Sequence, residues 1–272
     1  MEGKTYPRLL TSESRPTATM RCGLSDTIAT TRCDSPDSTA VEFYTPFIRF
    51  YVLISHQLAM TEVYTMIVHA VRDASVDRDN RLIDEQHHLR ARVFAGRLGW
   101  NVNVLNGRET DEYDALLPTY ILAISEAGAV VACARLLPAI GPTMLQRTFP
   151  QLLASRCLKA HPRMIESSRF CVDTSLVEGR GGVLHEATLT MFAGIIEWSI
   201  ANGYDEVVTA TDLRFERILN RAGWPMRRLS EPCRIGSTVA VAGSLAADVE
   251  SFNKVCPTGY RSTIARGHMR AA

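Results

Sequence analysis

The chain has 272 residues, 46% hydrophobic and 22% charged, with 30 Lys and Arg against 29 Asp and Glu for a formal net charge of +1. Those proportions suit an ordinary globular protein with one sizeable core. They give no general pull toward nucleic acid or membrane, so charged recognition has to come from local patches. Seven cysteines, an odd number with no Cys-x-x-Cys pair, indicate neither a disulfide framework nor a zinc site; a reducing compartment and no metal are expected.

Residues 1–40 are rich in Ser, Thr, Asp and Arg, a composition that cannot offset the entropy of ordering, and disorder is expected there. Residues 41–65 are more apolar but show no helical or strand period. Their most apolar run, 50–61, is broken by His56, is too short to span a bilayer and lies too far in for an ordinary signal peptide. A cytoplasmic protein is the expectation. Met66 opens a strand-like Met-Ile-Val-His-Ala-Val and is a candidate for the true start, with 1–65 an extension and 66–272 a single domain.

Over 82–98, Leu82, Leu89, Val93 and Phe94 recur at largely helical spacing among charged residues, predicting an amphipathic helix ended by Gly99-Trp100. Arg90 and Phe94, four apart, share a flank. The polar segment up to Pro118 holds Asp111 and Asp114 and reads as a loop that could serve as a lid. Residues 120–125, a turn at Glu126-Ala127-Gly128 and 129–137 read as a β-hairpin whose second strand carries Arg135, with Pro138, Gly141 and Pro142 as its end.

Residues 164–173 read as a buried strand that nevertheless holds Glu166 and Arg169, residues seldom buried unless paired. Three apart, they would face opposite sides of a regular strand; an inserted β-bulge would turn both toward one cleft and free backbone N–H groups for a ligand. An edge strand with solvated charges is the alternative. After a turn at Gly179-Arg180-Gly181-Gly182, a well-buried helix is expected over 184–202, with Met191 and Phe192 on its barrel. A strand over 206–211, an amphipathic helix over 213–221 and short strands near 226–229 and 238–242 follow. Alternating strands and helices with one hairpin define a mixed α/β fold.

Arg90, Arg135 and Arg169 thus face Asp111, Asp114 and Glu166 in number, all beside segments that point to the core, with Phe94 and Trp100 able to form an apolar wall. Burying such a set fits ligand recognition better than stability; scattered surface ion pairs are the other reading.

The run Leu89-Arg-Ala-Arg-Val-Phe-Ala-Gly-Arg-Leu-Gly-Trp100, with Asp111-x-x-Asp114, Arg135-Leu-Leu-Pro138 and Glu166-Ser-Ser-Arg-Phe170, resembles the signature of LuxI-type acyl-homoserine lactone synthases. The likeness runs from about Met66 to near the C-terminus. Around 167–173 and 207–224 it is most similar to the conjugal-transfer branch of rhizobia and agrobacteria.

The resemblance implies an α/β fold like that of the GCN5-related acetyltransferases, a mixed sheet flanked by helices. It implies a reaction between S-adenosylmethionine, as substrate rather than cofactor, and an acyl group on acyl carrier protein. Glu166 becomes the candidate general base with Asp111 or Asp114 as fallback, and N–H groups near Ser168 and Phe170 the candidate oxyanion donors. By the same resemblance Arg90, Phe94 and Trp100 belong to the S-adenosylmethionine site, Arg135 and Arg169 to its polar network, and Thr209 to a position associated with 3-oxo acyl chains. Met191 and Phe192 are candidates for the acyl slot, with core packing as the plainer role. Arg214, Arg217 and Arg221, at i, i+3 and i+7, form a basic stripe suited to an acidic carrier protein or simply to solvent.

An N-acetyltransferase using acetyl-CoA is the rival reading, but Glu178-Gly-Arg-Gly-Gly182 does not fit the pyrophosphate-cradling spacing of such enzymes. A catalytically silent ligand-binding relative is the second rival. Basic residues are not interleaved with aromatics in any one stretch, so no nucleic-acid partner is expected. No membrane partner is expected, and a monomer is.

Overall fold

The computed structural model describes residues 66–72, 77–174 and 186–264. The expected N-terminal extension and the Gly179–Gly182 turn lie outside them. Among the described residues, eight strands form one sheet in the order β1 (Ile67–Val71), β4 (Thr119–Ile124), β5 (Val130–Pro138), β6 (Met164–Val172), β7 (Glu206–Asp212), β10 (Thr238–Ala246) and β8 (Arg227–Arg228), with β9 (Cys233–Ile235) also on β10. The pairings are antiparallel except β6 with β7, which run parallel. A parallel pair needs a crossover, here through the chain that contains helix α3 (Glu186–Ala201).

Helix α3 is buried along much of its barrel, as its apolar sequence predicts, and packs on β1, β4 and β5. Close approach is set by Gly194, where a Cβ would sit 2.7 Å from a Val68 methyl. Val68, Ile121, Phe192 and Ile196 belong to the core on this side. Helix α1 (Asp77–Arg90) covers β5 from another cluster, in which Leu82, Leu89 and Phe94 meet Tyr120, Leu122 and Cys133.

The helix expected over 82–98 begins earlier and changes type: after Arg90 the backbone widens into π-turns over Ala91–Arg97. Leu98 N–H donates to Val93 O at 2.9 Å, and Gly99 follows with φ +64°. The polar segment behind it is not a loose lid. Asn106 (φ +52°) and Gly107 (φ +76°) make the tight turn between β2 (Val104–Leu105) and β3 (Arg108–Glu109). A 3₁₀ turn over Glu112–Leu116 follows, capped by Asp111. Sequence reading also passed over β9, the short helix α2 (Met144–Arg147) and, beyond helix α4 (Leu213–Arg221), helix α5 (Val249–Val255). Among the described residues no helix is long and apolar enough to cross a membrane.

Candidate functional site

The bulge falls inside β6. Register steps from Cys133–Cys171 to Arg135–Ser168, so Ala134 of β5 stands against both Arg169 and Phe170. Arg169 takes φ +53°, a left-handed conformation unusual for a residue with a Cβ. Its guanidinium thereby reaches the carboxylates on the side to which Arg135 also points.

There three cations and three carboxylates interlock. Arg90, fully buried at the end of α1, grips both oxygens of Asp114 at 2.8 and 2.9 Å and donates from Nε to Glu109 at 2.5 Å. Arg135, equally buried, forks onto Asp111 and reaches Asp114 at 2.8 Å. Arg169 bridges Glu109 at 3.1 Å and Asp111 at 2.8 Å. Tyr120 donates its hydroxyl to Asp114 at 2.7 Å. Burial makes each of these charges expensive singly, and equal numbers with bidentate geometry are what let them stay ionised.

The titration behaviour follows. Burial opposes the charge of Asp114, but the Arg90 hydrogen bonds and field outweigh it and hold the carboxyl well below its ordinary range. Burial likewise works against Arg90, and Asp114 and Glu109 overcome it and raise its pKa. Burial, with Arg90 nearby, lowers the pKa of His87; its Nδ1 lies 2.8 Å from the Glu109 carbonyl, which can only accept, so that nitrogen carries the proton.

Glu109 is a member that sequence reading missed, and it holds the place in this ring that Glu166 was expected to take. Glu166 stands apart: its fully buried carboxylate accepts Leu145 N–H at 2.6 Å and Met144 N–H at 3.0 Å, binding the start of α2. Burial raises its pKa despite those bonds. Met144, also missed, turns its thioether sulfur to Arg135 at 3.1 Å and Arg169 at 3.4 Å.

The aromatic wall is present. Phe94 and Trp100 stack in parallel 5.2 Å apart, joined by Trp100 N–H donating to Phe94 O across the π-turn. The Arg169 guanidinium carbon lies 5.7 Å from the Phe94 centroid. Trp100 remains 44% exposed, an open apolar rim beside the charges.

On the other side of β6 the sheet opens. Parallel pairing with β7 stops at Glu166–Val208, and past that point a groove is lined by Ser167, Phe170, Thr209, Phe192, Phe215 and Trp224. Thr209 and Phe170 thus share one apolar slot, while Ser168 does not join it and instead accepts from Arg135 Nε at 3.2 Å. Phe192 lines the slot; Met191 lies buried in the core. Arg214, Arg217 and Arg221 sit on the exposed face of α4. Arg228 beyond them is held by Glu216 at 2.6 and 2.7 Å and Arg227 by Glu206 at 3.0 Å. Among the described residues no group of three or more His, Cys, Asp or Glu side chains is arranged to hold a metal ion.

A mixed sheet parted between two strands, flanked by helices and with a groove at the parting, is a fold of the GCN5-related acetyltransferase type, shared with a solved acyl-homoserine-lactone synthase. Residues 74–255 match the family described as Autoinducer synthase, and the chain belongs to that family, whose enzymes make acyl-homoserine lactones for quorum sensing. An acyl-homoserine-lactone synthase of Rhizobium radiobacter is 63% identical over 201 residues, 74% of this chain and 95% of that protein. A probable acyl-homoserine-lactone synthase of Sinorhizobium fredii is 62% identical over 185 residues, 68% of this chain and 89% of its own length. Of solved structures, the AHL synthase LasI matches with a TM-score of 0.61 at 33% identity, covering 70% of this chain and 94% of LasI. TofI, in a ternary complex with an inhibitor and MTA, matches at 0.59 and 25% identity over 71% of this chain and 98% of TofI.

Proposed function

We propose that this synthase joins S-adenosylmethionine to a medium-length 3-oxoacyl group carried by acyl carrier protein, and that residues 66–272 carry the activity. The observation that bears most weight is the adjacency, across β6, of a self-neutral ring of charges and a mostly apolar groove whose lining includes the hydroxyls of Ser167 and Thr209. A zwitterionic sulfonium suits the first and an acyl chain the second. TofI binding MTA, the fragment that this reaction would release, agrees with the choice of sulfonium substrate.

In the reaction the substrate amine attacks the thioester carbonyl, the thiol leaves, and the carboxylate then displaces methylthioadenosine from the γ-carbon to close the lactone. The amine must first lose a proton. Among the carboxylates, Asp114 is held ionised by Arg90 and is a poor acceptor, whereas the raised pKa of Glu166 gives it the greater proton affinity. With both oxygens on backbone N–H groups, Glu166 acts through one intervening water. The bulge at Arg169 and Phe170 leaves the ladder out of register where an oxyanion would form. Lactonisation joins two ends of one molecule, so holding it folded against Phe94 and Trp100 supplies most of what that step requires. Neither step needs an electron sink, so no cofactor is called for. The exposed stripe on α4 favours an acidic carrier protein over a small thioester. The protein works as a monomer in the cytoplasm.

Purified protein incubated with S-adenosylmethionine and a panel of acyl carrier protein and CoA thioesters should yield, by mass spectrometry, chiefly a 3-oxoacyl-homoserine lactone from the carrier-bound donors. Preference for CoA thioesters or unsubstituted chains would overturn the donor and product assignments. A protein shortened to start at Met66 should keep the rate, and an inactive one would show that the leading residues take part.

A further inference from the structure

Two cysteines that the chemistry above does not use stand against each other in the middle of the sheet. Cys133 of β5 and Cys171 of β6 are direct register partners, both buried, with sulfurs 3.4 Å apart. Antiparallel partners have Cα atoms about 4.5 or 5.5 Å apart, and both spacings fall inside the range of about 4.4–6.8 Å that a disulfide accepts. Only a small local shift of the two strands, with the sheet pairing kept, is needed to close the remaining gap between the sulfurs.

Their position ties them to the site. The next step of the ladder is the bulge itself, and Cys133 Sγ lies 3.7 Å from the carbonyl oxygen of Arg169. We propose that Cys133 and Cys171 form an oxidisable dithiol, closed by hydroperoxides into a cross-strand disulfide that lowers synthase activity by moving the Arg169–Phe170 bulge.

The balance is simple. Two S–H bonds and the peroxide O–O bond break, one S–S bond forms, and hydrogen peroxide leaves as two waters carrying both protons. Closing the gap from 3.4 Å to a bond of about 2.05 Å draws the strands together beside Arg169, whose guanidinium bridges Glu109 and Asp111, and beside Phe170 in the groove. Burial of both sulfurs makes local opening of the strand pair the slow step, so the link forms gradually and a dithiol reductant reverses it.

The test treats the full chain with hydrogen peroxide, alkylates remaining thiols under denaturing conditions and maps peptides. A cross-linked peptide pair containing Cys133 and Cys171 should appear, and lactone synthesis should fall on the order of tenfold, since a displacement near 1 Å at a reacting site costs up to ~10²-fold. Dithiothreitol should restore it. Cys171→Ala and, independently, Cys133→Ala should keep the untreated rate and lose the reversible response. The cross-link is read without catalysis, so its absence when exposed Cys157 has already oxidised overturns the proposal. So does a complete cross-link with an unchanged rate, or an equal reversible loss in both alanine variants.

Discussion

The two halves of the site, separated by one strand, are built on opposite plans. The charged half is determinate: Arg90, Arg135 and Arg169 each meet two carboxylates, and Asp114 alone receives both Arg90 nitrogens, Arg135, Tyr120 and the Asp111 amide. The apolar half is permissive, a groove between diverging strands lined mostly by aromatic and aliphatic side chains with little directional bonding. Buried ions tolerate no missing partner, whereas dispersion and burial grade smoothly with shape. On the function proposed above, chemistry common to every acyl donor would fall to the first, and discrimination among chains to the second.

Breaking the charged half should have the largest consequences. Glu166→Gln keeps an acceptor for one of the two α2 amides and removes the base, so kcat should fall about 10²–10⁴-fold with unchanged circular dichroism; an unimpaired rate would remove Glu166 from that role. Asp114→Ala takes one of two carboxylate partners from each of two buried guanidinium groups, leaving Arg90 with Glu109 and Arg135 with Asp111. It should lower unfolding free energy by about 3 kcal/mol, read by denaturant titration. Its pH dependence has a definite sign. The folded pKa of Asp114 lies below the ordinary 3.8, so its stabilisation is complete above that pH and drains away as pH falls through the lowered value. The difference between variant and parent should therefore shrink toward strong acid. A constant difference would show that the carboxylate's charge is not what stabilises.

Changes in the permissive half should be milder and show in product ratios. Thr209→Val removes a neutral hydrogen bond of about 0.5–1.5 kcal/mol, so competition between 3-oxo and unsubstituted donors should shift by roughly 2- to 10-fold, while total rate holds. Identical ratios would make Thr209 an ordinary strand residue. Smallest of all is the surface: reversing Arg214, Arg217 and Arg221 together should raise KM for acyl carrier protein several-fold at low salt and flatten its ionic-strength dependence, leaving kcat in place. An unaltered KM would return the stripe to solvent.

The bulge was legible because Glu166 and Arg169, three apart in an apolar run, could not otherwise share a side. The ring's membership was only partly so. Glu109 lies in a polar stretch beside Arg108 and Glu112, and nothing local separates them; yet the Asn106-Gly107 pair is a hairpin signal that, taken seriously, alternates Arg108 outward to Asp84 and Glu109 inward. Glu166 misled for a different reason. Its charge advertised a partner, and the partner proved to be backbone amides of a short helix that carries no periodic signature.

Sequence alone determined the mixed α/β alternation, the helix with Arg90 and Phe94, the strand with misplaced charge and the likeness to lactone synthases, since period and residue type are local properties. Tertiary structure decided which carboxylate faces which guanidinium, where β6 and β7 stop pairing so that Thr209 lines a groove, and that Cys133 and Cys171 meet. Each depends on register between segments far apart in the chain, and a one-residue slip there turns every side chain to the other face.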